Sequence, residues 1–126
     1  MSKKQSPIKT FGFAFEGIKQ AIHEEPNLRF HILAAILVLV LAFFLQLDIL
    51  SFAVLILTIS SVIVLELINT IIERITDMIS PEISVNAKFI KDVSASAVLV
   101  SAIAAVLVGL LLFAPRILQL LFALIP

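Results

Sequence analysis

Three apolar runs constrain this chain more than anything else in it. Phe30 to Leu47 is 18 residues with only His31 and Gln46 polar. Ile49 to Ile72 is a second run and Val93 to Phe113 a third. A helix needs about 17 to 25 apolar residues to cross a bilayer. Inside lipid, only a helix or a closed barrel satisfies its own backbone. The runs therefore predict an all-α membrane protein with spans over 27–47, 49–72 and 91–113. Composition agrees: 61% of the 126 residues are hydrophobic and 14% charged, where soluble domains are roughly half apolar and about 25% charged. We read the whole chain as one membrane domain. It has no cysteine, which excludes disulfides and thiolate metal sites. Trp and Tyr are also absent, leaving Phe to make any aromatic belt. No short apolar core with a cleavage site opens the sequence, so no removable signal peptide is expected.

The flanks carry further pattern. Residues 1 to 7, with Lys3, Lys4 and Pro7, read as a loose polar arm. Ile8, Phe11, Phe15, Ile18 and Ile22 then recur at spacings of 3, 4, 3 and 4, which is one helix face. The segment 8–22 is too polar to span. It is predicted to be an amphipathic helix on the membrane surface, with packing against the chain's own helices as a compatible alternative. Glu24-Glu25-Pro26 breaks the pattern, and proline favours a helix start near Pro26. Asp48 marks a tight turn. Ser51, Thr58, Ser60 and Ser61 are tolerable in the second span because hydroxyls can bond their own helix. Ser80-Pro81-Glu82 reads as a turn, with a loop expected over residues 78 to 90. Ser94, Ala97, Ser101 and Ala105 form a small-residue stripe of the kind that lets helices approach closely in lipid. Ala114-Pro115-Arg116 is expected to end the third span, with the apolar tail 117–126 interfacial or packed on a partner.

Basic residues set orientation. Eight of the nine precede residue 92, flanking the first span or the 73–92 segment, and only Arg116 lies beyond. Two spans separate those two regions, so both lie on one side. The N-terminus and the 73–92 segment are expected to be cytoplasmic and the C-terminus outside.

The unusual residues gather at that same end. At about 100° per residue, Glu66, Asn69, Glu73 and Asp77 fall within a helix sector of roughly 80°. Glu66 lies about 12 Å deeper along the axis than Arg74. A carboxylate inside a span is costly, which leaves two readings: a base or ligand with a raised pKa, or an ion pair joining helices, with Lys91 as partner. Glu73 and Asp77 offer hard oxygens suited to Mg²⁺, which usually takes one or two carboxylates plus phosphates. An ordinary polar helix end would look the same. Asn69 alone would pass for a helix-to-helix hydrogen bonder. Lys88 and Lys91 could hold phosphate or merely anchor the interface. His23 and His31 are not at metal-ligand spacing and read as interfacial polar residues. No Gly-rich phosphate loop exists, so a soluble nucleotide-binding fold is excluded.

From these residues the chain resembles the small bacterial integral-membrane lipid kinases, the diacylglycerol kinase and undecaprenol kinase family. The resemblance covers about residues 11 to 112. It rests on Phe15-Glu16-Gly17-Ile18-Lys19, Glu25-Pro26-Asn27-Leu28-Arg29-Phe30-His31, Glu66-Leu67-Ile68-Asn69-Thr70 with Glu73 and Asp77, and Ala87-Lys88 through Lys91-Asp92. The segment through His31 and the following Ala34-Ala35 look like the Gram-positive, undecaprenol-associated type. The resemblance implies a homotrimer in the bacterial cytoplasmic (inner) membrane, with three spans and a surface helix per subunit. It implies transfer of the ATP γ-phosphate to a lipid hydroxyl, undecaprenol first and diacylglycerol second. Glu66 would be the general base, and Glu25 and Glu73 the Mg²⁺ ligands. Asn69 would support the site, Lys91 would contact phosphates, and Asp77 and Asp92 would help hold nucleotide. No nucleic-acid partner is expected. Arg74, Ile75 and Thr76 depart from the small and aliphatic residues expected there, and Ile83 to Asn86 from a more typical Tyr-His-Pro loop. From the residues alone, a proton- or cation-coupled transporter is the rival, since it too needs a carboxylate within a span. An inert helical assembly factor is a third possibility, disfavoured by Glu66 and Asn69.

Overall fold

The structure is a computed structural model and describes residues 6–125. Four helices follow in order: α1 (Pro7–Glu24), α2 (Pro26–Phe44), α3 (Ile49–Ile79) and α4 (Val85–Ala123). The last three are long and apolar enough to cross a membrane. Of the expected polar arm, residues 1–5 lie outside the described residues, while Ser6 and Pro7 open α1.

Local chemistry explains the helix ends. Pro26 occupies the first turn of α2, and Glu25 is at once the C-cap of α1 and the N-cap of α2. A break of one residue thus separates two helices. The turn after α2 is a Schellman arrangement: Leu47 donates its amide to the Ala42 carbonyl at 3.1 Å and Gln46 to Phe43 at 3.0 Å. Gln46 takes the left-handed position, with φ of 54°, that glycine usually fills. Asp48 then caps α3, accepting from the Ser51 amide at 2.8 Å. The Ser51 hydroxyl and amide hold the Asp48 carboxyl below its ordinary value.

Helices α3 and α4 form the most extensive pair, with α2 packed against α3. The buried residues of α3 are Leu55, Val62, Glu66, Asn69 and Thr76, and those of α4 are Ala87, Ser94, Val98 and Phe113. Steps of seven, four and three define a seam like that of a coiled coil. Ser94 of the small-residue stripe lies on it and Ser101 and Ala105 beside it, but Ala97 points away. Near the α2–α3 turn, Ala42, Leu55 and Phe113 make an apolar cluster joined by Leu47 and Phe52. Thr58 and Ser61 bond back to Val54 and Leu57 of their own helix.

Three boundaries differ from the sequence reading. Helix α3 runs to Ile79 and α4 begins at Val85, so only residues 80–84 are loop where 78–90 was expected. The Ser84 hydroxyl accepts from the Ala87 amide at 3.1 Å, an N-cap that starts α4 two turns early. A polar first turn and a loop read alike in composition. Nor does Pro115 end the third long helix, for it sits inside α4. Beyond it, Arg116 donates from Nε to the Leu45 carbonyl at 2.7 Å, satisfying an open group at the end of α2. The tail is therefore helical to Ala123.

Helix α1 buries no residue. Phe11 is 68% exposed and Phe15 71%. Toward its end the stripe turns to the bundle: Ile22 is half-buried, and Ile18 lines a cleft shared with Leu67 and Ile71 of α3.

Candidate active site

The site follows from the seam. Glu66 is 3% exposed and Asn69 7%, because both occupy packing positions of α3 turned into the bundle. Asn69 is a junction. Its Oδ1 accepts from the Ser94 hydroxyl at 2.7 Å, and its Nδ2 donates to Glu73 Oε1 at 3.3 Å. The amide orientation is thereby set: the oxygen faces α4 and the nitrogen the carboxylate one turn along. Glu73 is half-buried and keeps its second oxygen, Oε2, free of that bond.

Glu66 makes no ion pair among the described residues. The expected structural partner, Lys91, instead pairs with Asp77 at 2.5 Å across the α3–α4 connection. That removes the Lys91 form of the helix-joining reading. The ionisable side chains within electrostatic reach of Glu66 are His31, Glu73 and Glu25. His31 of α2 and Glu25 at its N-cap thus lie on the side of the bundle that Glu66 faces. His31 was read from sequence as merely interfacial. It lies half-buried on α2, and a single histidine in an apolar helix carried no signal to place it there.

Asp77 and Asp92 are exposed. Asp92 pairs with Lys88 one turn back on α4. Asp77, Lys88, Lys91 and Asp92 line a cleft of about 220 Å³ with Ser80 and Ser84. At the elbow, Glu24 pairs with Arg74 of α3. Gln20, then Arg74, holds the Glu24 carboxyl below its ordinary value.

The expected site residues therefore split into a buried group, Glu66 and Asn69, and a group at the helix ends, Glu25, Glu73, Asp77, Lys91 and Asp92. Among the described residues, no three His, Asp or Glu side chains gather tightly enough to form a metal cage. Glu25 and Glu73 each offer hard carboxylate oxygens, the kind of ligand Mg²⁺ takes together with phosphate and water.

Fold and site define a helical membrane protein with an acidic, partly buried centre at one end of its bundle. The sequence family described as prokaryotic diacylglycerol kinase matches residues 12–113. A Bacillus subtilis protein named undecaprenol kinase is 38% identical over 110 residues, covering 87% of this chain and 89% of its own length. A Synechocystis diacylglycerol kinase is 38% identical over 114 residues, covering 90% of this chain and 65% of its own length. The Escherichia coli K12 diacylglycerol kinase is 31% identical over 100 residues, 79% of this chain and 82% of that one. The chain belongs to the prokaryotic diacylglycerol kinase family. It is a membrane lipid kinase, a phosphotransferase acting on a hydroxyl group with ATP as co-substrate. The transporter reading has no support among these relatives.

Proposed function

We propose that this kinase phosphorylates undecaprenol in preference to diacylglycerol, with Glu66 as the general base and Glu25 and Glu73 as ligands of a Mg²⁺ ion. The burial of Glu66 carries the assignment. A lipid hydroxyl cannot easily leave the membrane edge, so its base must sit just inside that edge with no ion pair to neutralise it. In support, Glu66 lies within the second apolar run, is 3% exposed and has no ion-pair partner among the described residues. Its carboxylate takes the hydroxyl proton as the lipid oxygen attacks the γ-phosphorus. The bond from that phosphorus to the bridging oxygen breaks, and ADP leaves.

Phosphoryl transfer depends chiefly on positioning and charge stabilisation. Asn69, anchored by Ser94, holds Glu73 in place. Bound Mg²⁺ would neutralise phosphate charge there. Lys91, Asp77 and Asp92, around the cleft near the 80–84 loop, are assigned to the nucleotide. The lipid preference rests on the segment from Glu25 to His31 and on likeness to the Bacillus protein named undecaprenol kinase. We further assign a homotrimer in the bacterial cytoplasmic membrane, with the acidic end facing the cytoplasm.

Two measurements test this. Purified protein in micelles with ATP and Mg²⁺ should phosphorylate undecaprenol faster than diacylglycerol, and the reverse order overturns the lipid assignment. Glu66→Gln should fold, bind nucleotide, and lose about 10² to 10⁴ in single-turnover rate. Near-wild-type turnover removes Glu66 as the base.

A further inference from the structure

Arg74 stands where the family resemblance leads one to expect a small or aliphatic residue, and its partner lies on a different helix. It pairs with Glu24, the last residue of α1. The next residue, Glu25, is the whole connection between α1 and α2, with φ of −105° and ψ of 106°. A junction of one residue leaves little to fix its own angle. Within the elbow, Arg29 donates to the Ile22 and His23 carbonyls at 3.1 and 2.7 Å, which ties α1 to α2. Leu28, 1% exposed, seats the first turn of α2 in the bundle. Neither contact ties the end of α1 to α3. Helix α1 has no buried residue to do so. Among the described residues, Glu24–Arg74 is the one ion pair or side-chain hydrogen bond that links α1 to α3. Arg74 follows Glu73 directly, so it anchors the elbow beside the carboxylate face.

We propose that Arg74 is a positioning residue: by holding Glu24 it fixes the α1–α2 elbow so that Glu25 is presented to the same cation as Glu73. The inference rests on the assignment of Glu25 and Glu73 as metal ligands. Arg74 itself does not touch the reacting atoms. It lies about 100° around α3 from Glu73, and the bond it makes is directed at Glu24. Glu25's charge also reaches the Arg74 guanidinium. A cation so placed opposes metal binding if it acts through charge alone, so the two possible roles of Arg74 have opposite signs.

The test is Mn²⁺ binding in neutral detergent micelles without nucleotide, read from the resonance of the free ion. Arg74→Gln should bind Mn²⁺ roughly three- to fivefold more weakly, the range that one exposed ion pair can carry. Arg74→Lys should restore binding, since an ammonium can still hold Glu24. Glu24→Gln should match Arg74→Gln, and the double variant should be no weaker than either single, because both remove one contact. Unchanged or tighter binding in Arg74→Gln overturns the positioning role, tighter binding being the signature of charge alone. Glu25→Ala, measured alongside, separates the two assignments. If it weakens binding while Arg74→Gln does not, only the positioning role falls. If it leaves binding unchanged, Glu25 is no ligand and both fall.

Discussion

Residues that would each be unremarkable alone gain meaning here from the side chain next to them. Asn69 could be an ordinary helix-to-helix hydrogen bonder. Its nitrogen nevertheless points at Glu73, and its oxygen is held by Ser94. That geometry leaves Glu73 oriented but not neutralised, which suits a metal ligand better than a structural ion pair. Removing each of the two proposed ligands should have its own signature. Glu73→Ala should abolish phosphoryl transfer at any Mg²⁺ concentration. Glu25→Ala should weaken it sharply and raise the Mg²⁺ concentration needed for half-maximal rate. A Mg²⁺ titration of both variants checks this, and an unchanged requirement in both removes them as ligands. The face carrying Glu66, Asn69, Glu73 and Asp77 was legible in the sequence because a long helix makes spacing equivalent to direction. Ser94 was not, because a small residue on a packing stripe looks the same whether or not it donates a hydrogen bond. Nor could spacing reveal that Lys91 would choose Asp77 over Glu66, since that depends on where the 80–84 loop returns the chain.

Helix ends determine what the elements do. The turn from α2 to α3 uses a glutamine where glycine would be at ease. A side chain in the left-handed region costs roughly 1 to 2 kcal/mol, part of which glycine's greater unfolded freedom cancels. Gln46→Gly should thus raise stability by up to about 1 kcal/mol, read from thermal unfolding in detergent, with no change in kinase rate. A loss of stability would mean that the Gln46 side chain makes contacts worth more than the strain. Two residues on, Asp48 gives a pH-dependent counterpart. Its folded pKa is depressed from the usual 3.8 by the Ser51 hydrogen bonds. The stabilisation is fully present above the unfolded value and is lost as pH falls through the lower folded one. Wild type should therefore lose stability relative to Asp48→Asn below about pH 3.8, and the two should run parallel at neutral pH. Parallel curves throughout would show that the cap contributes nothing. The proline at Pro26 was a sound sequence signal for a helix start. At Pro115 the same residue type misled, because the Arg116 bond to Leu45 and an apolar setting keep α4 helical through it.

At the scale of the molecule, the acidic centre and most of the described basic residues lie at one end of the bundle. The α1–α2 elbow, the end of α3 and the start of α4 meet there through Glu24–Arg74 and Asp77–Lys91. The α2–α3 turn and Arg116 form the other end. Along the bundle, large apolar side chains such as Leu37, Leu57 and Leu107 are more than half exposed, as helices facing lipid or another copy of the chain would be. The proposed orientation, with the acidic end toward the cytoplasm where ATP is supplied, rests on the basic asymmetry. The assignment is tested with single cysteines, since the chain has none of its own. Ile83→Cys lies in the loop at the acidic end and Gln46→Cys in the turn at the opposite end, both at exposed positions. A membrane-impermeant thiol reagent added to intact cells should label Gln46→Cys and leave Ile83→Cys unmodified until the membrane is opened. Labelling of Ile83→Cys alone would put Glu25, Glu73 and the Asp77–Lys91 cleft outside the cell, away from nucleotide. A kinase with that orientation would have no phosphate donor, so the site assignment would fall together with the orientation.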